Sequence, residues 1–382
     1  MTGVALALLA TAGIGLATLG VEGRALRRQL SRRPPSPRSF PGVSVLKPLR
    51  GIDDDLAANL ASFAAIDWPE YEVLLGLQDE ADPAAAVARA AAARWPAVFR
   101  VVVRTGELGM NPKVSQLASL SAAARHGILV VSASNVRVPP GYLAEIAARL
   151  EDPDVGLVTH LFAGVGERSE GALLENLHLA GGVATGIAAA KLVAGRDVVM
   201  GKSMALRRDD LAALGGLEPV KDLLAEDYVL GQMVPRVLGK RVELASRPVE
   251  NVVQERTVGQ FFHRARRWAV LQRNLVGPLL YAAQVIRNPV LVATVAVVAS
   301  PSPWTAAAWV AVAVARALLD GAAGAALRPG GFTPGALARV PLKDLVLGAA
   351  WVEGFFRRTV DWRGTRLRVL PGTRLAPPPP PG

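Results

Sequence analysis

Short apolar runs alternate with Ala-rich stretches in the first half of the chain, and this alternation limits the possible folds more than any other feature. Five runs have the length of a β-strand, at residues 43–46, 72–77, 101–104, 128–132 and 156–160. Such strands, separated by helical stretches, predict an α/β fold whose sheet has parallel or mixed strands. In open sheets of this kind, ligands bind beyond the carboxyl ends of the strands. The residues that follow each run are therefore the first candidates for a functional site.

An uncharged segment precedes these strands. Residues 2–21 are about long enough to cross a hydrocarbon core of roughly 30 Å as a helix. Five arginines follow the segment and no cation precedes it, which favours a membrane anchor over a cleavable signal peptide. By the positive-inside rule, the following domain is predicted to be cytoplasmic. We assign residues 1–22 to a transmembrane anchor, 23–40 to a basic, Pro-containing linker and 41–275 to the α/β domain.

The chain becomes apolar again after residue 275, with runs at 289–300, 303–315 and 345–356. Each run is shorter than a full span, so crossing, interfacial and re-entrant arrangements all remain open. Trp304, Trp309 and Trp351 suit the level of the lipid headgroups. Residues 276–370 are therefore predicted to form membrane-associated helices and a terminal segment, and the Pro-rich residues 371–382 a disordered tail.

Composition narrows the function further. A hydrophobic fraction of 51% and a mean hydropathy of +0.30 favour a membrane protein. The absence of cysteine excludes disulfides and a thiol nucleophile, and the four histidines lack the spacing of a zinc hydrolase. The net charge of +11 is compatible with nucleic-acid binding, but the basic residues cluster beside the apolar segments. Attraction to anionic lipid headgroups explains that placement better, so no nucleic-acid partner is expected.

Charged residues follow the first two strands. Lys47 and Pro48 begin a turn whose cations suit a ligand with phosphates. After the second strand, Asp79 and Asp82 can accept hydrogen bonds from a nucleotide. The alternative for Asp82 is the N-cap of a helix that Pro83 begins, and this motif alone favours that alternative.

Three further clusters have similar ambiguity. Asn111 and Lys113 lie at a helix start, where both the dipole and the ammonium favour an anion. Glu226 and Asp227 form an acidic pair that is equally typical of a solvated helix start. Arginines and an indole are gathered in a third cluster, which on its own also suits a membrane-surface helix; its members are Arg264, Arg266, Arg267 and Trp268.

Taken in order, these motifs resemble those of the ceramide glucosyltransferase family. That family belongs to the inverting transferases whose pattern is three separated aspartates followed by (Q/R)xxRW. The resembling segments are residues 41–49, 78–83, 111–113, 135–138, 225–228 and 264–268, with 360–366 similar to the family's terminal segment. Bacterial hopanoid-associated glycosyltransferases share much of this pattern, so the resemblance indicates the reaction more securely than the acceptor.

The resemblance implies a glycosyltransferase A-type fold, a UDP-sugar donor, usually UDP-glucose, and a lipid acceptor. Asp82 matches the family's first aspartate, on the nucleotide side, with Asp79 assisting. Asp227 matches the third, the general base that takes the proton of the acceptor hydroxyl. Arg264 and Arg267 would hold the departing diphosphate bidentately. Trp268 would stack on a sugar or line the path of the acceptor.

The second aspartate of the pattern is missing. Alignment on residues 136–138 places Ala133 where that aspartate stands, and Asn135 at the other ligand position. A neutral amide is a poor substitute for a carboxylate towards Mg²⁺ or Mn²⁺, so the divalent metal that the resemblance implies is in doubt. Three explanations are open: an engineered Asp→Ala change, which we favour slightly, a natural enzyme with weak or no metal use, or a chain that binds donor without turnover.

The predicted function is therefore hexose transfer, with glucose as the expected sugar, from a UDP-sugar to a lipid hydroxyl, ceramide being the leading acceptor. Hopanoid or diacylglycerol glycosylation is the alternative within the same chemistry. A catalytically impaired donor-binding protein is the alternative outside it, which Ala133 favours and the intact Asp227 disfavours. Too few apolar spans are present for a channel or transporter.

Overall fold

A seven-stranded mixed sheet lies at the centre of the catalytic domain in a computed structural model that describes residues 2–362 and 365–377. The strands of this sheet follow the order β3-β2-β1-β4-β8-β6-β9. In chain order the strands are β1 (Val43–Pro48), β2 (Tyr71–Leu77), β3 (Phe99–Val103), β4 (Ile128–Ser132), β5 (Val136–Arg137), β6 (Val155–Thr159), β7 (Phe162–Val165), β8 (Ser203–Arg207), β9 (Arg241–Leu244), β10 (Val249–Val252), β11 (Thr359–Trp362), β12 (Thr365–Val369) and β13 (Leu375–Ala376).

All five apolar runs that predicted strands are strands, namely β1, β2, β3, β4 and β6. Strands β1, β2, β3 and β4 pair in parallel, whereas β8 runs antiparallel to both β4 and β6. The predicted mixed α/β sheet is therefore confirmed. Two small sheets accompany it, in the orders β5-β10-β7 and β11-β12-β13.

Helices cover both faces of the large sheet and then form a bundle with the first helix. They are α1 (Gly3–Leu30), α2 (Leu56–Ala64), α3 (Ala84–Arg94), α4 (Pro112–Ala123), α5 (Tyr142–Leu150), α6 (Glu170–His178), α7 (Thr185–Leu192), α8 (Arg208–Ala213), α9 (Glu226–Met233), α10 (Val258–Val276), α11 (Pro278–Ala283), α12 (Pro289–Ala299), α13 (Pro303–Leu327), α14 (Pro334–Leu337) and α15 (Val340–Phe356). Two buried apolar clusters lie on the two sides of the sheet, and a smaller one joins α1, α12 and α13.

The first helix is longer than the apolar segment that predicted it. Helix α1 continues to Leu30, so the first part of the predicted linker, residues 23–30, is helical. Gln29 explains the extension, because its amide is fully buried and donates to the backbone carbonyl oxygens of Leu244 and Ala245 at 2.7 and 3.2 Å. The anchor and the end of the sheet are thus joined directly.

Helix α13 is also longer than its sequence suggested. It runs for 25 residues, beyond the predicted run of 303–315, because the charged residues that interrupt the apolar sequence are buried and paired. Within the described residues, α1 and α13 are long and apolar enough to cross a membrane. A third candidate is the pair formed by residues Pro278–Arg287 and α12, which is bent by 85°.

The predicted disordered tail begins differently from expectation. Residues Pro371–Thr373 form a 3-10 turn, and β13 pairs with β12 because Leu375 is buried and its N–H donates to the carbonyl oxygen of Asp222 at 2.7 Å. Residues 378–382 of that tail lie outside the described residues, as do residues 363 and 364 of the predicted terminal segment.

A buried cluster of four charges fastens α13 to α15. Asp320 forms ion pairs with Arg316 at 2.7 Å and with Lys343 at 2.6 Å. Asp344 forms ion pairs with the same two cations at 3.1 and 2.8 Å. Arg316 also donates to the Gly181 carbonyl oxygen, between α6 and α7, at 3.2 Å. Charges at this depth are tolerated only when they are paired, so the cluster fixes the helical bundle against the catalytic domain.

We expect Asp320→Ala to destabilise the fold by about 3–5 kcal/mol, because it leaves Arg316 and Lys343 buried with one carboxylate between them. Thermal unfolding in detergent would measure this as a lowered midpoint. Asp209→Ala, which truncates an exposed aspartate, is the matched control and should shift the midpoint little. Equal shifts for the two variants would contradict a stabilising role for the cluster.

Candidate active site

A polar cleft of about 930 Å³ opens at the carboxyl ends of β1, β2 and β4, where the sequence placed the site. It brings together most of the predicted residues, namely Pro48, Asp79, Asp82, Lys113, Ala133, Asp227, Arg264, Arg267 and Trp268. Arg50, the second cation of the turn after β1, also lines it, as do Asp53, Lys202 and Arg256, which the sequence analysis did not select as site residues. Cations and carboxylates therefore face each other across the cleft.

Lys47, a predicted donor-binding residue, lies under the cleft rather than in it. Its ammonium is fully buried, donates to the Ala133 carbonyl oxygen at 2.7 Å and lies 4.0 Å from the centre of the Phe63 ring. Burial lowers the pKa of Lys47 well below its ordinary value, against the opposing effect of Asp53. The prediction of a phosphate contact by Lys47 therefore fails, because alternation along β1 points its side chain inward.

Two asparagines that were predicted to bind the donor form hydrogen bonds within the fold. Asn111 caps α4, accepting from the Lys113 and Val114 backbone N–H groups, and is fully buried. Asn135 donates to Asn251 Oδ1 at 3.1 Å and accepts from Lys202 Nζ at 2.7 Å. Neither residue lines the cleft, so their predicted contacts with a donor are not supported by the geometry.

Asp82 fits both of its sequence interpretations. Its Oδ1 accepts the backbone N–H groups of Ala84, at the start of α3, and of Gly51, each at 2.9 Å. The same side chain lines the cleft, beside the more exposed Asp79. The helix start therefore holds Asp82 at a position where its second oxygen borders the cleft.

Asp227 lies at the start of α9, where its carboxylate accepts two backbone N–H groups. Oδ2 accepts from Gly201, just before β8, and Oδ1 accepts from Tyr228 at 2.8 Å. A carboxylate has about four lone-pair sites, so two hydrogen bonds orient Asp227 without exhausting its capacity to accept a proton. Asp227 also lines the cleft, and its role as general base stays a prediction.

Glu226 and Lys113 form a buried ion pair beside Asp227. Lys113 Nζ lies 2.5 Å from Glu226 Oε1, and the glutamate is almost fully buried. Burial raises the pKa of Glu226, the Lys113 ammonium opposes that shift, and the Asp227 charge adds to it. Glu226 is therefore a positioning residue for Lys113 in this geometry.

Glu175 holds two arginines at the opposite wall. Its buried carboxylate lies 2.8 Å from Arg256 Nε and 3.1 Å from Arg264 Nε. None of these atoms has a hydrogen-bond partner within the described part of the chain, so the contacts are Coulombic and the N–H groups are not aimed at the oxygens. Glu175 comes from α6, far along the chain from α10, which is why the sequence analysis did not find the pairing.

A second, mostly apolar cavity of about 780 Å³ meets the cleft at Asp227. Its walls come from α1, α7 and α10, with Val21, Val183, Ile187, Leu271 and Leu275 among the apolar side chains. The cleft and the cavity share five lining residues, namely Lys113, Met200, Asp227, Arg267 and Trp268. The candidate base therefore stands where a polar compartment borders an apolar one.

The residues at the missing aspartate do not fit a metal ion. Ala133 has no ligand atom, the Ser134 hydroxyl is hydrogen-bonded to Asp53, and the Asn135 amide is used by Lys202 and Asn251. Across residues 2–362 and 365–377, no group of three or more His, Asp or Glu side chains is placed so as to hold a metal.

Comparison with known proteins gives a family match over nearly the whole chain: the model of glycosyl transferase family 21 matches residues 5–375. Ceramide glucosyltransferase 1 of Caenorhabditis elegans is 28% identical over 239 residues, which are 61% of this chain and 50% of that protein. Ceramide glucosyltransferase of Komagataella phaffii is 32% identical over 115 residues, 29% of this chain and 23% of that protein. The match spans about half the length of the C. elegans relative.

Among solved structures, the mannosyltransferase from Pyrobaculum calidifontis in complex with GDP-Man and Mn²⁺ is similar in fold. Its identity is 21%, its TM-score is 0.51, and the match covers 92% of this chain and 98% of that one. The predicted glycosyltransferase A-type fold is thereby confirmed.

We expect Lys113→Met to destabilise the protein in a pH-dependent manner. Loss of the ammonium raises the pKa of buried Glu226 further, so the folded state binds a proton more tightly than the unfolded chain does. Stability is then retained at low pH and lost as pH rises through that folded pKa. The deficit in thermal midpoint against the unchanged protein should be larger at pH 8 than at pH 5.5. In Lys113→Met/Glu226→Gln this pH dependence should vanish, and its persistence there would assign the effect to another group.

Proposed function

We propose that this chain, which belongs to glycosyl transferase family 21, transfers a hexose, with glucose as the expected sugar, from a UDP-sugar to the hydroxyl of a lipid. The observation that carries the proposal is the meeting of a polar cleft and an apolar cavity at Asp227. A charged donor suits the first compartment and an amphiphilic acceptor the second. The names of the relatives make ceramide the leading acceptor, with hopanoids and diacylglycerol as alternatives.

Asp227 is the proposed general base. It takes the proton of the acceptor hydroxyl while the acceptor oxygen forms a bond to the anomeric carbon from the face opposite the diphosphate. The bond from that carbon to the diphosphate oxygen breaks, and its electron pair leaves with UDP. Such a base contributes roughly 10² to 10⁴-fold in rate. Attack from the opposite face gives inversion at the anomeric carbon.

The cations of the cleft stabilise the negative charge that develops on the leaving diphosphate. Arg264 and Arg267 lie on α10 and line the cleft, and Glu175 holds Arg264 from behind. Fixed donors of this kind stabilise a developing charge more than water does, because they need no reorganisation. Trp268 borders both compartments and lies 5.9 Å, between ring centres, from His178, so its indole forms part of the wall between sugar and lipid.

The membrane supplies the acceptor in this proposal. Two apolar residues that line the cavity, Val21 of α1 and Val193 just after α7, are exposed. A lipid can therefore reach the cavity without crossing water. The arginines at the end of α1 favour placement of the catalytic domain on the cytoplasmic side.

The direct test supplies the purified chain with UDP-glucose, UDP-galactose or GDP-mannose, each with ceramide, a hopanoid or diacylglycerol, and identifies products by mass. We expect a glycolipid from a UDP-hexose, and its loss in Asp227→Asn with UDP-sugar affinity kept within a few-fold, because a base acts on the transition state. Asp209→Asn, on the exposed start of α8, is the control and should retain full transfer.

A glycolipid formed at an undiminished rate by Asp227→Asn would remove Asp227 from the role of base. Donor binding with no product from any pairing would favour the alternative that Ala133 raises, a protein that binds donor without turnover.

The apolar cavity has its own test in Ala190→Trp, which places an indole among the cavity residues of α7. Transfer to a long-chain acceptor should fall by about tenfold or more, while UDP affinity should not change, because Ala190 lines the apolar cavity but not the donor cleft. Ala90→Trp, on the exposed side of α3, is the size-matched control. Equal transfer by the two variants would show that the acceptor binds elsewhere.

A further inference from the structure

The strands β4 and β8 bring two unusual features of the cleft side by side. They pair antiparallel with Ser132 opposite Ser203, and just beyond this pair the Ala133 N–H donates to the Lys202 carbonyl oxygen at 3.2 Å. Ala133 and Lys202 are therefore backbone neighbours, and both line the cleft. A methyl group stands where a metal-binding carboxylate was expected, and a lysine stands next to it.

The Lys202 ammonium is held in place there. Its Nζ donates to Asn135 Oδ1 at 2.7 Å, and Asn135 is itself fixed by donating to Asn251 Oδ1 at 3.1 Å and to the Val252 carbonyl oxygen at 3.2 Å. The oxygen that would otherwise be the second metal ligand thus positions a cation of the chain itself. An ammonium has three N–H groups and attracts phosphate by its charge whatever else it contacts.

The net charge at residues 133 and 202 is the same whether a metal-binding carboxylate or an alanine beside a lysine occupies them. A carboxylate that holds a divalent cation carries one net positive charge, and an alanine beside a lysine carries the same. The two arrangements therefore carry the same net charge at residues 133 and 202, whereas Ala133 without Lys202 would leave a deficit of one charge. Arg50, Arg256, Arg264 and Arg267 line the same cleft and supply the remaining attraction.

We infer that the cleft binds the diphosphate of its donor without a divalent cation, with the Lys202 ammonium in the place of that cation. This inference rests on the proposed function, since it concerns the same nucleotide site. It selects the second explanation of Ala133, a natural site that needs no metal, over an engineered loss. It also makes Lys202 a donor-binding residue that acts on the diphosphate directly.

Calorimetric binding of UDP to the full-length protein in detergent tests the inference without relying on turnover. In the unchanged protein, UDP affinity should be equal within about twofold in EDTA and in Mn²⁺. Electron paramagnetic resonance of added Mn²⁺ should show no ion immobilised by UDP and protein together. A UDP affinity that depends on Mn²⁺ in the unchanged protein would overturn the inference and leave the proposed function standing.

Two variants separate the roles of the neighbouring residues. Lys202→Met should lower UDP affinity by about tenfold or more, and Mn²⁺ should not restore it, because no group of carboxylates among the described residues of the cleft is placed to hold the ion. Ala133→Asp/Lys202→Met should regain affinity in Mn²⁺ alone and should immobilise one ion. Lys221→Met, which removes a half-buried lysine outside the cleft, is the control and should bind UDP normally.

An unchanged UDP affinity in Lys202→Met, with an unchanged thermal midpoint, would remove Lys202 from the site and overturn the inference. An absence of UDP binding in the unchanged protein, in both EDTA and Mn²⁺, would overturn the proposed function together with it.

Discussion

The pairing of β8 with β4 is the constraint on which the rest of the site depends. Because it is antiparallel and in register at Ser132 and Ser203, it presents residues 201 and 202 at the cleft directly beside residue 133. Gly201 then donates its N–H to the Asp227 carboxylate, and Lys202 extends to Asn135. A side chain at position 201 would meet Lys113 and Asp227, which explains the glycine. One backbone contact thus sets the positions of both the candidate base and the candidate cation.

Residues near the described C-terminal end hold the segment that leads to Asp227. Leu224 donates its N–H to the Thr373 carbonyl oxygen at 2.9 Å, and Leu375 donates to the Asp222 carbonyl oxygen at 2.7 Å. The segment before α9 is therefore hydrogen-bonded to the C-terminal sheet, and Leu224, Leu367 and Leu375 pack in one buried cluster. Residues 371–377, the described part of the tail that composition marks as disordered, are held by contacts with the segment before α9.

Sequence patterns predicted five of the seven strands of the large sheet, because strands buried on both faces are continuous apolar runs. Strands β8 and β9 were not predicted. The convergence of strand ends also predicted the place of Asp82 at the cleft, whereas Asp227 and Arg267 were predicted from the resemblance to the family's motifs. What sequence patterns could not give is the direction and partner of each side chain. Lys47 belongs to a strand and points into the core, Asn135 serves Lys202, and Arg264 pairs with Glu175 from another helix. The length of α13 was equally hidden, because its charges look exposed until Lys343 and Asp344 are seen to pair with them.

A transferase that joins a nucleotide-bound sugar to a lipid must hold a doubly charged group and a hydrocarbon chain within bonding distance of each other. When a lipid excludes water from such a cleft, the interactions between charges become stronger, so an unpaired charge there is costly. In this chain two buried carboxylates have cations beside them, Lys113 for Glu226, and Arg256 and Arg264 for Glu175. A lysine fixed by an amide adds positive charge without recruiting an ion from solvent. In the proposed reaction, the Lys202 ammonium is part of the chain and would therefore already be in place in the cleft beside the apolar cavity when donor and lipid bind.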